Sequence, residues 1–346
     1  MLNIFKKNYN ESRINVLVFD PIVNSKYSKQ YKHYNDLYNE LSKVCNCFLY
    51  SKTDFSDLEE VICFVKRKKF YPDIIFFGMG WFALNKEVFE KKIIKRNSNN
   101  IPIVGFFYKA QNHLKEKLFF IKNNLFDSIV TPLPHVEEYQ RSTGIKFNLL
   151  PNAADPRIFF DRKLKKIYDI GFSGALHDNH LYNSGSFNTF NIRSRAQDLL
   201  RRQKGIKAFL NGSDDIKKRI PSFKQYAIKM SQCMIWIATP GPYEEIVDRY
   251  FEIGMSKTLL FCNEIPNSYK DILIDGYNCV VFKNDLSDFL SKFYFCLKNK
   301  KYVDNIIENA FNDFHSKHNY SSRAKNLKDI FENLIQKKSI KKNYLT

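Results

Sequence analysis

The run Ile235-Trp236-Ile237-Ala238-Thr239-Pro240-Gly241-Pro242-Tyr243-Glu244-Glu245-Ile246-Val247-Asp248-Arg249-Tyr250-Phe251-Glu252-Ile253-Gly254 decides the fold. Its first four residues are apolar and end at a loop stiffened by two prolines around a glycine, which is how a short buried strand gives way to a turn. A charged segment of helical character follows, and then Thr258-Leu259-Leu260-Phe261-Cys262 has the composition of another buried strand. Strand, loop, helix, strand is the βαβ unit, in which a loop presents a ligand to the helix N-terminus.

The same alternation runs outward on both sides. Toward the N-terminus, Ile14–Phe19 ends in Asp20-Pro21, and further apolar runs stand at 47–50, 72–78, 101–107 and 127–132. Helical periodicity lies between them at Tyr34–Val44, Leu58–Lys68 and Val88–Ile94. The exit of the third run, Gly78-Met79-Gly80-Trp81, is rich in glycine and suits the lining of a cleft. The pattern restarts after the turn-rich Leu149–Pro156 and the charged Asp161–Lys166, which mark a domain boundary. Beyond it come strands at 168–174, 208–210, 235–238, 258–262 and 278–282, a polar stretch at Asp178–Asn191, a basic helix at Arg193–Lys204 and helices from Leu286 onward. The reading is α/β, with two Rossmann-like parallel-sheet domains facing a central cleft. The expected domains are 1–150, 151–318 and a C-terminal helix in 319–346 that packs back on the first.

At 346 residues, a chain with 44% hydrophobic residues can bury two ordinary cores. It has no apolar run long enough for a membrane span, and its N-terminus lacks the apolar core of a secretory signal. The seven cysteines show no metal-type spacing, so they are expected to be reduced thiols. The expected location is cytoplasmic, with peripheral attachment to a membrane compatible with the charge. The net charge of +19 has two readings. It serves an anionic partner (nucleic acid, an anionic membrane or a phosphorylated ligand), or it reflects compositional drift in a lysine- and asparagine-rich chain.

The candidate site residues gather around strand exits. Glu244 and Glu252 are separated by seven residues. On one continuous helix they would stand about 12 Å apart along the axis and about 80° apart around it, so a shared role needs Glu244 in the loop and Glu252 in the helix. Arg249 is three residues before Glu252, on the same helical face. Gly171, Ser173 and Gly174 belong to a strand running into a loop, where missing Cβ atoms let backbone amides approach an anion. Arg193 and Arg195 follow within reach of the same edge and suit clamps for a diphosphate as well as a solvated helix face. His113, just past the fourth strand, suits contact with a polar substrate or proton transfer. Neither a dinucleotide fingerprint nor a nucleoside triphosphate phosphate loop occurs.

With these residues assembled, the chain resembles the GT-B glycosyltransferases, in particular the group 1, family 4-like and spore-maturation-protein type. Leu149-Leu150-Pro151-Asn152-Ala153-Ala154-Asp155-Pro156-Arg157-Ile158-Phe159 is similar to that family's interdomain stretch. Tyr168–Leu176 resembles the opening of its donor domain, Glu244–Phe282 its signature region, and His318-Asn319-Tyr320-Ser321 its terminal stretch. The resemblance implies a nucleotide-diphosphate-sugar donor in the C-terminal domain. It implies that Glu244 lies at the transferred sugar, Glu252 at the ribose, and Arg249 with the backbone near Gly174 at the diphosphate, with Tyr243 among the donor-binding residues and Arg193, Arg195 and Lys207 competing as the diphosphate clamp. It also implies retention of configuration, no metal and no further cofactor. The acceptor is then a glycan, a lipid-linked molecule or a protein. A nucleic-acid-binding α/β protein is the first alternative, disfavoured by the lack of any recognised binding motif; an inactive GT-B-like glycan-binding protein is the second.

Overall fold

The computed structural model describes residues 13–21, 32–51, 57–83, 100–110, 113–124, 126–176 and 189–343. The helix expected at Val88–Ile94 and most of the polar stretch at Asp178–Asn191 lie outside the described residues. The chain divides into two compact units. One comprises Met1–Pro151 with Tyr320–Thr346, the other Asn152–Asn319.

The first unit contains β1 (Asn15–Phe19), β2 (Asn46–Tyr50), β3 (Ile74–Phe77), β4 (Ile103–Phe106), β5 (Ser128–Thr131) and β6 (Phe147–Leu149). They form one sheet in the order β2-β1-β3-β4-β5-β6, and every pairing is parallel. Both faces are covered, which is why the strands read as continuous apolar runs. Val16 and Val18 look toward α1 (Lys32–Val44), with Val16 beside Ile74 and Cys47 in the register. The opposite face is aromatic: Phe19 stacks on Phe77 at 4.8 Å, and Phe77 meets Trp81 edge-on at 5.0 Å. Trp81 belongs to α3 (Met79–Phe82); α2 (Leu58–Arg67) and α4 (Leu114–Asn123) bring Phe64 and Phe120 to the same side. α5 (Val136–Thr143) leads into β6.

The chain returns to this unit at its end. α11 (Tyr320–Asn343) buries Ala324, Leu327 and Phe331 in the core that holds Val16 and Phe76, and Phe331 meets Phe76 at 5.5 Å. At 1.5–3 kcal/mol for each large apolar side chain, Leu327 and Phe331 alone contribute about 4 kcal/mol to docking. Lys338 adds an ion pair to Asp127 at 3.1 Å.

The second unit contains β7 (Tyr168–Gly174), β8 (Ala208–Gly212), β9 (Cys233–Ala238), β10 (Leu259–Asn263) and β11 (Val280–Phe282). They form a parallel sheet in the order β11-β10-β9-β7-β8. Ile170, Phe172, Ile235, Ile237 and Phe261 face α6 (Thr189–Arg201), α9 (Phe289–Lys298) and α10 (Lys300–Lys317). Trp236 and Phe209 look to the other side, where α7 (Phe223–Ser231) places Tyr226 against Trp236. α8 (Arg249–Met255) connects β9 to β10 and packs on α10. The sheet reverses its winding between β7 and β9, and that switch point at the carboxyl ends of the strands is where open α/β sheets bind ligands. All seven cysteines are free. No helix among the described residues is long and apolar enough to cross a membrane.

Candidate functional site

β7 runs to Gly174, whose φ of +138° is open only to glycine. A Cβ there would also stand 2.9 Å from one terminal nitrogen of Arg249 and 3.1 Å from the other, and would push the guanidinium tip aside. Arg249, the first residue of α8, therefore lays its guanidinium on the backbone of the β7 exit. Its Nε–H donates to the Tyr226 hydroxyl at 2.9 Å. Burial alone would weaken the Arg249 charge, but Tyr226 and Glu252 more than offset it, so the group stays cationic.

Glu252 follows in the first turn of α8 and is buried. Burial pushes its carboxyl up to about 7, against the pull of Arg249. Asp248, just before the helix, is driven well above the usual carboxylate range by burial and then by the Glu252 and Glu245 charges. Three carboxyl groups thus crowd one helix start, and the fixed cation beside them is Arg249.

The loop between β9 and α8 is held by long-range bonds. Fully buried Thr239 accepts Arg193 Nε–H at 2.6 Å, while the other Arg193 nitrogens donate to the carbonyls of Ala175 (2.9 Å) and Pro240 (3.0 Å). Arg193 thereby clips the β7 exit to the β9 exit. Burial lowers its pKa to about 10, with Arg249 adding to the effect. Asn152 donates to Glu245 Oε1 at 3.2 Å and to the Ile246 carbonyl at 2.9 Å, and Gly241 N–H donates to the Glu245 carbonyl at 2.8 Å. Between these ties Tyr243 and Glu244 both adopt left-handed backbone, with φ of 56° each. A non-glycine residue there costs about 1 kcal/mol or more, so the turn persists because its surroundings hold it.

The structure brings Gly174, Arg193, Arg249 and Glu252 together with this loop. It places other candidates elsewhere. Gly171 is not at the strand exit but inside β7, where a Cβ would stand 2.4 Å from the Trp236 ring; its role is to admit that ring. Ser173 is also within the strand, its Oγ turned to Asn211 on β8 at 3.4 Å. Arg195 is exposed and donates to the Asp285 carbonyl beyond β11. Lys207 precedes β8 and so stands at the amino end of the sheet, with its amide bonded to Asp169. His113 belongs to the first unit. It caps α4 in a left-handed conformation (φ 61°) and its carbonyl accepts Lys117 N–H. The buried Lys117 ammonium braces the same loop by donating to the carbonyls of Tyr108 (3.2 Å) and Lys109 (2.8 Å), and burial pulls its pKa down to about 7.

Sequence reasoning passed over Tyr226, Thr239 and the part played by Asn152. Tyr226 lies on a helix with no motif around it. Thr239 and Asn152 stood inside stretches already singled out, and a polar residue directly after a buried strand was the available signal.

Residues 193–329 match the model of a family described as glycosyl transferase-like, a span covering most of the second unit and the start of α11. A search of curated protein sequences finds no match. Among solved structures, sucrose-phosphate synthase from Thermosynechococcus elongatus superposes with a TM-score of 0.56 at 10% identity, over 94% of this chain and 100% of that one. Anabaena HepE, solved with UDP and glucose, gives 0.55 at 10% identity, over 92% and 100%. A DNA-modifying β-glucosyltransferase whose substrate is uridine diphosphoglucose gives 0.53 at 12% identity, over 93% and 100%. Two parallel-sheet α/β units in this order are the GT-B glycosyltransferase fold, and the second unit supplies the segment that matches the glycosyl transferase-like family.

Proposed function

We propose that this protein transfers a sugar from a nucleotide-diphosphate sugar to an acceptor, with the donor held by the second unit. The observation that carries this reading is the guanidinium of Arg249, a residue of the family-matching segment, lying over Gly174 at the β7 exit. When the bond between the anomeric carbon and the diphosphate oxygen breaks, negative charge grows on the leaving group. A fixed cation in a poorly hydrated site stabilises that charge without having to reorganise. Arg249 takes this role, and Arg193 supports it by holding the two strand exits. Glu252 accepts hydrogen bonds from the ribose hydroxyls, while Glu244 and Tyr243, on the strained turn, meet the transferred sugar.

Transfer proceeds with retention and without a metal, a reading supported by the spacing of Glu244 and Glu252 and its likeness to the retaining branch. The acceptor is a glycan, a lipid-linked molecule or a protein, and His113 contacts it or moves its proton. The charge of +19 also suits a polyanionic acceptor, and one protein of like fold modifies DNA, so DNA belongs among the acceptors tried. Anionic vesicles test the peripheral membrane contact.

The test is release of nucleoside diphosphate from a panel of UDP-, GDP- and ADP-sugars, with and without EDTA. We expect one donor class to turn over, UDP-sugars first, with EDTA making no difference. Donor binding without turnover would mark an inactive relative. Salt-sensitive DNA binding with no donor binding would replace the transferase reading with the nucleic-acid one.

A further inference from the structure

The geometry points to Tyr226 as a positioning residue: its hydroxyl takes the Arg249 Nε–H and so turns both terminal nitrogens toward the β7 exit over Gly174. This inference rests on the donor reading above.

An arginine side chain has several rotatable bonds, and in solution its guanidinium samples many directions. Ordering it at the moment of binding would weaken an anion site, whereas ordering it beforehand does not. Two contacts order it here. One is the space left by Gly174, which admits the two terminal nitrogens to within 2.9 and 3.1 Å of where a Cβ would stand. The other is the 2.9 Å bond from Nε–H to Tyr226. A guanidinium fixed at Nε has its remaining edge aimed, and that edge is the fork that matches a phosphate's oxygens.

Tyr226 can do this because its own ring is fixed. Ser222 caps α7 by accepting the Gln225 amide at 3.2 Å, which sets where the helix starts. One turn later the Tyr226 ring meets Trp236 edge-on at 5.6 Å and 83°, and Phe159 at 6.2 Å and 80°. Trp236 fits beneath it only because position 171 on the next strand is glycine. Tyr226, Trp236 and Gly171 thus form a chain of contacts on one face of the sheet that ends at the Arg249 side chain. Burial raises the Tyr226 phenol well above its ordinary value, so the hydroxyl is neutral throughout the working pH range.

Tyr226→Phe keeps the ring contacts and removes only the acceptor. Isothermal titration with UDP, GDP and ADP should show wild-type binding of at least one of them. In the variant that Kd should weaken about tenfold, the equivalent of about 1.4 kcal/mol. The Kd of the corresponding nucleoside, which has no phosphate, should stay unchanged. Arg249→Lys lacks the Nε–H, so adding Tyr226→Phe to it should bring no further loss. Equal diphosphate affinity in wild type and Tyr226→Phe would overturn the role of Tyr226, as would additive losses in the double variant or an equal loss of nucleoside binding. If the wild type bound none of the three diphosphates, the donor reading would fall, and the positioning role with it.

Discussion

At the exit of β3 in the first unit, the chain turns through Gly78-Met79-Gly80, and the buried Asp20 at the end of β1 fills the turn. One oxygen of Asp20 accepts both the Gly80 amide at 2.8 Å and the Tyr38 hydroxyl at 2.5 Å. At the exit of β7 in the second unit, the corresponding glycine faces Arg249. Both are glycine-bearing turns at the carboxyl end of a parallel strand, where amides gather and an anion is favoured. The first unit supplies that anion from its own chain. The second supplies a cation, which is what the proposed diphosphate site needs. The glycine is the same signal in both, and the residue facing it decides whether the turn is structural or a site.

The comparison can be broken at either end. The largest effect is expected from Arg249→Ala, which should weaken nucleoside diphosphate binding more than 100-fold, about 3 kcal/mol for a charge-assisted pair of bonds. Titration checks it, and an affinity within threefold of wild type would remove Arg249 from the site. Asp20→Ala should act on stability, costing about 3 kcal/mol because a buried amide and a buried hydroxyl lose their acceptor. Urea unfolding measures this; a midpoint equal to wild type would mean that the β3 turn does not depend on its internal carboxylate.

The next effect follows from the sign of the Glu252 shift. Its carboxyl titrates at 4.5 when unfolded and near 7 when folded, so between these values the folded state binds more protons. Stability should therefore fall as pH rises from about 4.5 to about 7. Glu252→Gln should remove that slope and be more stable than wild type at pH 8 by about 2 kcal/mol. Parallel stability profiles for the two proteins would contradict the burial of a titrating group there.

The smallest effect lies under His113. Lys117 is depressed from 10.5 to about 7, so the unfolded state binds more protons between those values and wild-type stability gains as pH rises through that window. Lys117→Met should flatten the gain, a difference of about 1–2 kcal/mol between pH 7 and 9. It should also speed amide exchange at residues 108–110, next to the carbonyls that Lys117 holds. Unchanged exchange would show that the lysine does not brace them.

Most of the architecture was legible because a buried parallel strand must be apolar on both faces, and such runs stand out in Leu17–Phe19, Ile74–Phe77 and Ile235–Ala238. β6 was not, since its three residues merge into Leu150-Pro151 and two of them are only half-buried at the sheet edge. The site was legible as a neighbourhood and not as contacts. Gly171 and Gly174 carry one compositional cue three residues apart, yet one admits Trp236 and the other Arg249. Arg193, Arg195 and Lys207 look alike as clamps, but they reach respectively the strand exits, the Asp285 carbonyl and the far end of the sheet.

The sequence by itself determined the alternation of strands and helices in two parallel-sheet units and the division of Glu244 and Glu252 between a turn and a helix. These follow from local rules, the periods of helix and strand and the backbone limits of proline and glycine. Only the tertiary structure decided what holds Arg249 over Gly174 and what holds the turn that carries Glu244. Those facts depend on strand register and helix packing, which join Arg249 to Tyr226, Arg193 to Thr239 and Asn152 to Glu245 across 23, 46 and 93 residues of chain. No local pattern encodes such a pairing.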